Sequence, residues 1–153
     1  MTTPVFHTLE EAFFHCRDMD ASLGDRLETF SAAARALRPA IQEAVDRLVV
    51  RLMASNLGNA VPKIGDPMPP FILPDEKGDL VSLASLLRVG PVAVTFHRGH
   101  WCPYCRINTK ALAEAQTRIA AEGAQIVAIM PDRQQFATAL KRESNMHLSL
   151  IHI

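Results

Sequence analysis

Cys102 and Cys105 stand three residues apart in Phe96-His-Arg-Gly-His-Trp-Cys-Pro-Tyr-Cys-Arg106, directly after the apolar run Pro91-Val-Ala-Val-Thr-Phe96. Pro103 has no amide hydrogen and a fixed φ, which suits the first position of a helix. Cys102 is therefore expected as the N-cap and Cys105 as the third helical residue, the two positions whose side chains meet in a capping box. Bridged Cα atoms lie roughly 4.4–6.8 Å apart, so sulfurs placed this way can close a disulfide with little backbone movement. Unpaired N–H groups and the positive end of the helix dipole would face Cys102 and favour its thiolate. Lowering a cysteine pKa from about 8.5 to about 6 favours the thiolate by roughly 3 kcal/mol. Arg98 and Arg106 flank the pair and push the same way. Cys105, one turn in, is expected to stay the more ordinary thiol. The pattern predicts a redox centre in which Cys102 attacks and Cys105 resolves.

Other chemistries fit less well. His97, His100, Cys102 and Cys105 supply four ligand types for zinc, but His97 is expected on a strand and structural zinc takes ligand pairs from two separated loops. No metal and no cofactor are expected. Haem attachment requires His after the second cysteine, where this chain has Arg106. Cys16, in Phe13-Phe-His-Cys-Arg-Asp18, is expected as a half-buried helix residue rather than a third redox partner.

Around this centre the chain must build a frame. Its 153 residues are 48% hydrophobic, enough for one domain plus an appendage. Sixteen basic and sixteen acidic residues cancel, which points away from nucleic acid and anionic membranes. The start, Met1-Thr-Thr-Pro-Val-Phe6, shows no basic segment leading into an apolar core, and no run approaches membrane-spanning length. A cytoplasmic location is expected, where a Cys-x-x-Cys pair is catalytic rather than structural.

Residues 1–60 read as a helical extension. Thr8 with Glu11 forms a capping-box pattern ahead of a short helix to about Arg17. Leu27, Phe30, Ala34 and Leu37 recur at helical spacing, and Pro39 opens a helix carrying Ile41, Val45, Leu48, Val49 and Leu52 on one stripe. These stripes predict a helical hairpin packed on its own unit, with a homodimer contact as the sharper alternative. From Val61 the prolines hold an extended entry, with short strands at Phe71–Leu73 and Leu80–Val81 and a helix capped by Ser82. Val92–Phe96 is expected as a buried central strand. The helix from Pro103 would stop at Gly123, Ile126–Met130 form a second buried strand, and Asp132 with Gln135 would start a further helix. Strand–helix–strand implies a parallel pair with Cys102 at the carboxyl end of its strand, where open α/β sheets place their sites.

Residues 64–147 resemble the thioredoxin-fold family of alkyl hydroperoxide reductases and thiol-specific antioxidants, the peroxiredoxin-like proteins. Three pieces carry the resemblance: Gly65-Asp-Pro-Met-Pro-Pro-Phe-Ile-Leu-Pro-Asp75, Phe96–Cys105 and Ile126-Val-Ala-Ile-Met-Pro-Asp132. The helical leader resembles the extension of a subgroup whose active site reads Arg-Gly-x-Trp-Cys-Pro-Tyr-Cys. The resemblance implies an α/β, thioredoxin-like fold and a thiol-dependent peroxidase. Cys102 would attack hydrogen peroxide or an organic hydroperoxide and become a sulfenic acid, Cys105 would close the disulfide, and a thioredoxin-like reductant would reset the pair. Arg98 would stabilise the thiolate and the departing oxyanion, and Trp101 would shield the sulfur or pack in the core. Typical peroxiredoxins carry a proline seven residues and a threonine or serine three residues before the attacking cysteine; here those positions hold Thr95 and Gly99. Without that hydroxyl, a thiol-disulfide oxidoreductase of the thioredoxin/glutaredoxin type is the alternative.

The boundaries expected are 1–60 for the extension, 61–147 for a truncated redoxin core and 148–153 for a non-native tail. A thioredoxin-like domain needs a cis-proline loop, an antiparallel strand pair and a closing helix after the helix that begins near Asp132. Leu148-Ser-Leu-Ile-His-Ile153 is too short for these and resembles a translated transposon-end adapter.

Overall fold

The computed structural model describes residues 4–147 and 150–152. They form two compact units divided between Pro69 and Pro70. The first holds helices α1 (Leu9–Asp18), α2 (Leu23–Leu37) and α3 (Pro39–Ala54), followed by a 3₁₀ turn at Asn56–Ala60. Thr8 caps α1 by accepting the Glu11 amide at 3.0 Å, but Glu11 returns its carboxylate to the His7 amide, one residue outside the cap. Ala12, Phe13 and Cys16 of α1 and Phe30, Ala33 and Ala34 of α2 are buried. Arg26 is buried with them and ties off the α1–α2 turn by donating to the Ala21 and Arg17 carbonyls. Cys16 is fully enclosed rather than half-buried, and burial pushes its thiol pKa up, which leaves it an unreactive packing residue.

The stripe on α3 departs from expectation. Ile41, Val45, Leu48, Val49 and Leu52 are all exposed, and Gln42 is the buried residue of that helix. The periodicity made a good helix, but among the described residues nothing buries this stripe.

The second unit holds the cysteines. Strands β1 (Ile72–Pro74) and β2 (Leu80–Ser82) form an antiparallel hairpin. Its turn is fixed by Asp75, whose carboxylate accepts the Lys77 and Asp79 amides, and by Gly78 at φ +93°. Ser82 and Ser85 cap α4 (Leu83–Leu87) reciprocally. A second sheet runs β3 (Val92–Phe96), β4 (Gln125–Met130) and β5 (Leu150–His152), all parallel, in that spatial order. Helix α5 (Pro103–Ala121) links β3 to β4, and α6 (Gln134–Ser144) lies between β4 and β5.

Strand β4 carries the core because it has neighbours on both edges and both faces. Ile126, Ala128 and Met130 point one way, into Ala113 of α5, Ala137 and Leu140 of α6, and Leu150. Val127 and Ile129 point the other way, against Phe71, Leu73, Val81 and Leu86. Strand β3, expected to be buried and central, is instead at the sheet edge, and none of its five residues is buried. Its sequence is as apolar as that of β4, but among the described residues only one edge is paired. Leu150 and Ile151 are fully buried, one on each face of the sheet, so the chain's end supplies its outer strand.

Candidate active site

The site lies where β3 runs into α5. Phe96 ends the strand, and His97 continues one more ladder bond by donating its amide to the Ile129 carbonyl at 2.9 Å. The chain then turns through Gly99 at φ +133°. That conformation favours glycine, and a Cβ there would lie 2.7 Å from the Trp101 indole nitrogen and 3.0 Å from an Asp132 oxygen, so those side chains would have to shift. The other Asp132 oxygen accepts the Arg133 amide, while this one accepts the His100 amide at 2.9 Å. Asp132 therefore clamps the turn to the end of β4; the N-cap of α6 is Arg133 instead.

Cys102 is the N-cap of α5 with Pro103 at the first helical position, as the spacing predicts. Its carbonyl accepts the Arg106 amide and so opens the helix, but its side chain makes no capping bond to the free amides. Cys102 and Cys105 are both buried and free of any disulfide, one helical turn apart at the start of α5. Cys105 Sγ accepts the Arg98 backbone amide at 3.2 Å. The Cys102 thiol donates to Cys105 and, against the cost of burial, holds it well down, to about 5, with help from the Arg98 amide and the nearby His97. That same bond, with burial, drives Cys102 upward. The two thiols act on each other in opposite directions, Cys105 downward and Cys102 upward.

Arg98 lies beside the pair, its backbone amide donating to Cys105 Sγ. Burial works against its charge, but attraction to Cys102 and Cys105 outweighs that and raises its pKa. Its guanidinium lies over the Trp101 ring at 5.6 Å and the Tyr104 ring at 5.8 Å. Trp101 is 69% exposed, which removes it from the core. The structure thus brings together Cys102, Cys105 and Arg98, the three residues singled out from the sequence.

Arg106 turns away. It forms a forked pair with Glu143 of α6, at 2.9 and 2.5 Å, and His100 approaches the same carboxylate at 3.4 Å. His97 instead faces the core, where its Nδ1 lies 3.2 Å from the Thr109 hydroxyl. The two histidines therefore diverge, and no group of three or more His, Cys, Asp or Glu side chains among the described residues is disposed to hold a metal ion. Sequence reading missed Thr109, Asp132 and Glu143 as parts of this site. Thr109 was within reach, since it follows Cys105 by four residues and so shares its helix face.

No helix among the described residues is long and apolar enough to cross a membrane. No curated protein matches the chain. Among solved structures, the peroxidoxin BcpB of Mycobacterium tuberculosis superposes with a TM-score of 0.54 at 24% identity, over 57% of this chain and 56% of that one. A candidate protein disulfide isomerase of Bacteroides thetaiotaomicron gives 0.52 at 21% identity, over 61% of this chain and 59% of that one. The chain spans less than two thirds of the length of either relative, and the likeness is one of fold, which is thioredoxin-like. Residues 64–152 match the AhpC/TSA family, a span that takes in strands β1 to β5, the Cys-x-x-Cys turn and helices α4 to α6. On that match the chain belongs to the AhpC/TSA family.

Proposed function

We propose that the chain works as a thiol-dependent peroxidase of the Arg-Gly-x-Trp-Cys-Pro-Tyr-Cys subgroup, with Cys102 as the attacking sulfur and Cys105 as the resolving one. The observation that carries the reading is the buried pair of cysteines at the start of α5, Cys102 as its N-cap and Cys105 one turn in, with the Arg98 amide donating to Cys105 Sγ. For Cys102 to attack, its proton passes to Cys105. The Cys102 thiolate then breaks the O–O bond, taking one oxygen as a sulfenic acid while the other leaves as hydroxide or alkoxide. Arg98 stabilises both the thiolate and the departing oxyanion. Cys105 condenses with the sulfenic acid, water leaves, and a thioredoxin-like dithiol reduces the resulting disulfide. Burial favours peroxide as the oxidant: Cys102 has no exposed surface, so a molecule near the size of water reaches it with less rearrangement than a protein disulfide.

One observation favours a second reading. Gly99 stands where peroxiredoxins carry a hydroxyl that orients peroxide, and its φ of +133° is one that residues with side chains rarely adopt. A dithiol exchanging with small disulfides needs no such hydroxyl. Stopped-flow oxidation of the reduced protein by hydrogen peroxide, run beside turnover with a disulfide substrate, separates the two. A peroxide reaction no faster than that of free cysteine, with rapid disulfide turnover, would transfer the assignment to thiol-disulfide exchange.

A further inference from the structure

The segment that leads from β3 into α5 is held through its backbone amides. His97 donates to the Ile129 carbonyl of β4 at 2.9 Å, and Arg98 donates to Cys105 Sγ at 3.2 Å. Cys102 donates back to the Gly99 carbonyl at 3.1 Å, which closes the turn from Gly99 to Cys102. The second position of that turn is His100, whose amide donates to Asp132 Oδ2 at 2.9 Å. The first of these bonds extends the strand ladder, and the next two stay within the turn and its helix. Asp132 is the side chain that ties the tip of the turn to the end of β4. Its two oxygens have unlike surroundings. Oδ1 takes the Arg133 amide at 3.0 Å in an exposed setting, where water can replace it. Oδ2 takes the His100 amide in a half-buried one, where a lost acceptor costs more. Capping α6 is not the use of this aspartate, since the N-cap of that helix is Arg133.

We propose that Asp132 is a positioning residue for the cysteine pair, its Oδ2 fixing the turn that sets Cys102 within reach of Cys105. The proposal rests on Cys102 and Cys105 acting as a dithiol. Cys105 lies one turn into α5, so its place follows the helix. Cys102 is the last residue of the turn and the N-cap of the helix at once, so its sulfur moves with the turn. The bond from the Cys102 amide to Gly99 fixes the shape of the turn; the bond from the His100 amide to Asp132 fixes where its tip stands against the sheet. Disulfide closure tolerates only a narrow arrangement, with bridged Cα atoms roughly 4.4–6.8 Å apart. A misplacement of about 1 Å between reacting groups is enough to cost such a step about 10²-fold. Asp132 touches neither sulfur by any hydrogen bond described, so it acts through the backbone it holds.

Methyl methanethiosulfonate, a small thiol reagent, tests this without peroxide. One thiolate of the pair attacks its sulfur, methanesulfinate leaves, and a methyl disulfide remains on that cysteine. The other cysteine then attacks the modified sulfur, loses its proton to solvent, releases methanethiol and closes the Cys102–Cys105 disulfide. Peptide-level mass spectrometry of quenched samples follows closure as loss of the methyl adduct. In Asp132→Ala closure should slow about tenfold to a hundredfold. Asp132→Asn keeps one acceptor, which turns to His100 because water replaces the exposed Arg133 bond, so closure should stay within about threefold of the unaltered rate. A purely structural aspartate would lower the urea midpoint in these variants and leave their closure rates alike. Asp132→Glu keeps the charge and both acceptors but sets them one methylene further out. Closure should slow there too, and this variant carries the test if Asp132→Ala fails to fold. Closure as fast as in the unaltered protein in Asp132→Ala, or in Asp132→Glu where Asp132→Ala does not fold, would overturn the proposal. Equal slowing in Asp132→Ala and Asp132→Asn would overturn it as well. An adduct that never closes in the unaltered protein would instead reject the dithiol reading beneath it.

Discussion

The residues that leave β3 build two unlike walls around the sulfurs. The inner wall is His97, Cys105 and Thr109, all buried, joined to one another and to the helix backbone. The outer wall is Arg98 and Trp101, both exposed and touching through a cation–π contact. Extended backbone puts successive side chains on opposite faces, so neighbours in sequence end in opposite environments. Inside, low polarity lets one hydrogen bond move a thiol far from its ordinary pKa. Outside, water and salt screen Arg98, so it can meet a charge that develops during reaction without locking the resting pair. On the proposed reading, the buried wall sets protonation and the exposed one answers charge.

The largest effects should come from the sulfurs that lie between the walls. Cys102→Ser should abolish turnover, since serine at that position cannot form the sulfenic acid. Cys105→Ser should permit one stoichiometric oxidation and leave a sulfenic acid that a dimedone-type probe traps. If Cys105→Ser lost the first oxidation while Cys102→Ser kept it, the inner sulfur would be the nucleophile, consistent with its lowered pKa, and the two roles would exchange.

The pH dependence comes next in size. With Cys105 held down to about 5 and Cys102 driven up, the reduced pair should carry one negative charge above about pH 5. Ultraviolet thiolate absorbance should show one step there and a second only above the ordinary cysteine range. Peroxide reactivity should fall as pH drops through the first step, because the doubly protonated pair has no thiolate to share. Two overlapping steps near the usual cysteine value would show that the two thiols do not act on each other. Arg98→Ala should then slow peroxide attack by about tenfold to a hundredfold. Loss of one oxyanion donor costs roughly 10²–10³ at a dry site, and the exposure of Arg98 takes the expectation toward the lower end. An unchanged rate would make the outer wall a surface feature.

The helix start and its cysteines were legible because they depend on local rules: proline at the first helical position, an apolar strand before it and glycine at the helix end. Strand and helix order was legible for the same reason. Burial was less so. Val92–Phe96 and Gln125–Met130 read alike, but one strand lies at the edge and the other carries the core. That difference depends on which partners flank each strand, which no local pattern encodes. The α3 stripe failed in the same way, since a period of 3.6 specifies a face but not what covers it. The bond that the Arg98 amide donates to Cys105 Sγ was not legible, because that donor comes from the loop ahead of the helix and not from the helix start on which the dipole argument rests.

The smallest predicted effect tests whether the walls are independent of the scaffold behind them. Arg106, in the first turn of α5, forks onto Glu143 of α6, and both side chains are mostly buried, at 27% and 18% exposure. This pair fixes the helix start that carries the cysteines without touching either sulfur by any hydrogen bond described. Glu143→Gln keeps the shape and one acceptor but removes the charge. Hydrogen bonds to charged groups contribute about 1.5–3 kcal/mol, and the remaining amide oxygen retains part of that. Urea unfolding should therefore show a loss of roughly 1–2 kcal/mol, with the first thiolate step still near pH 5. The inner wall takes its donors from Cys102 and the Arg98 amide, neither of which depends on Glu143 for its hydrogen. A thiolate step displaced by a full unit or more in a folded Glu143→Gln protein would show that α6 holds the sulfur geometry as well as the helix. The division between an inner wall that sets protonation and a scaffold that only supports it would then fail.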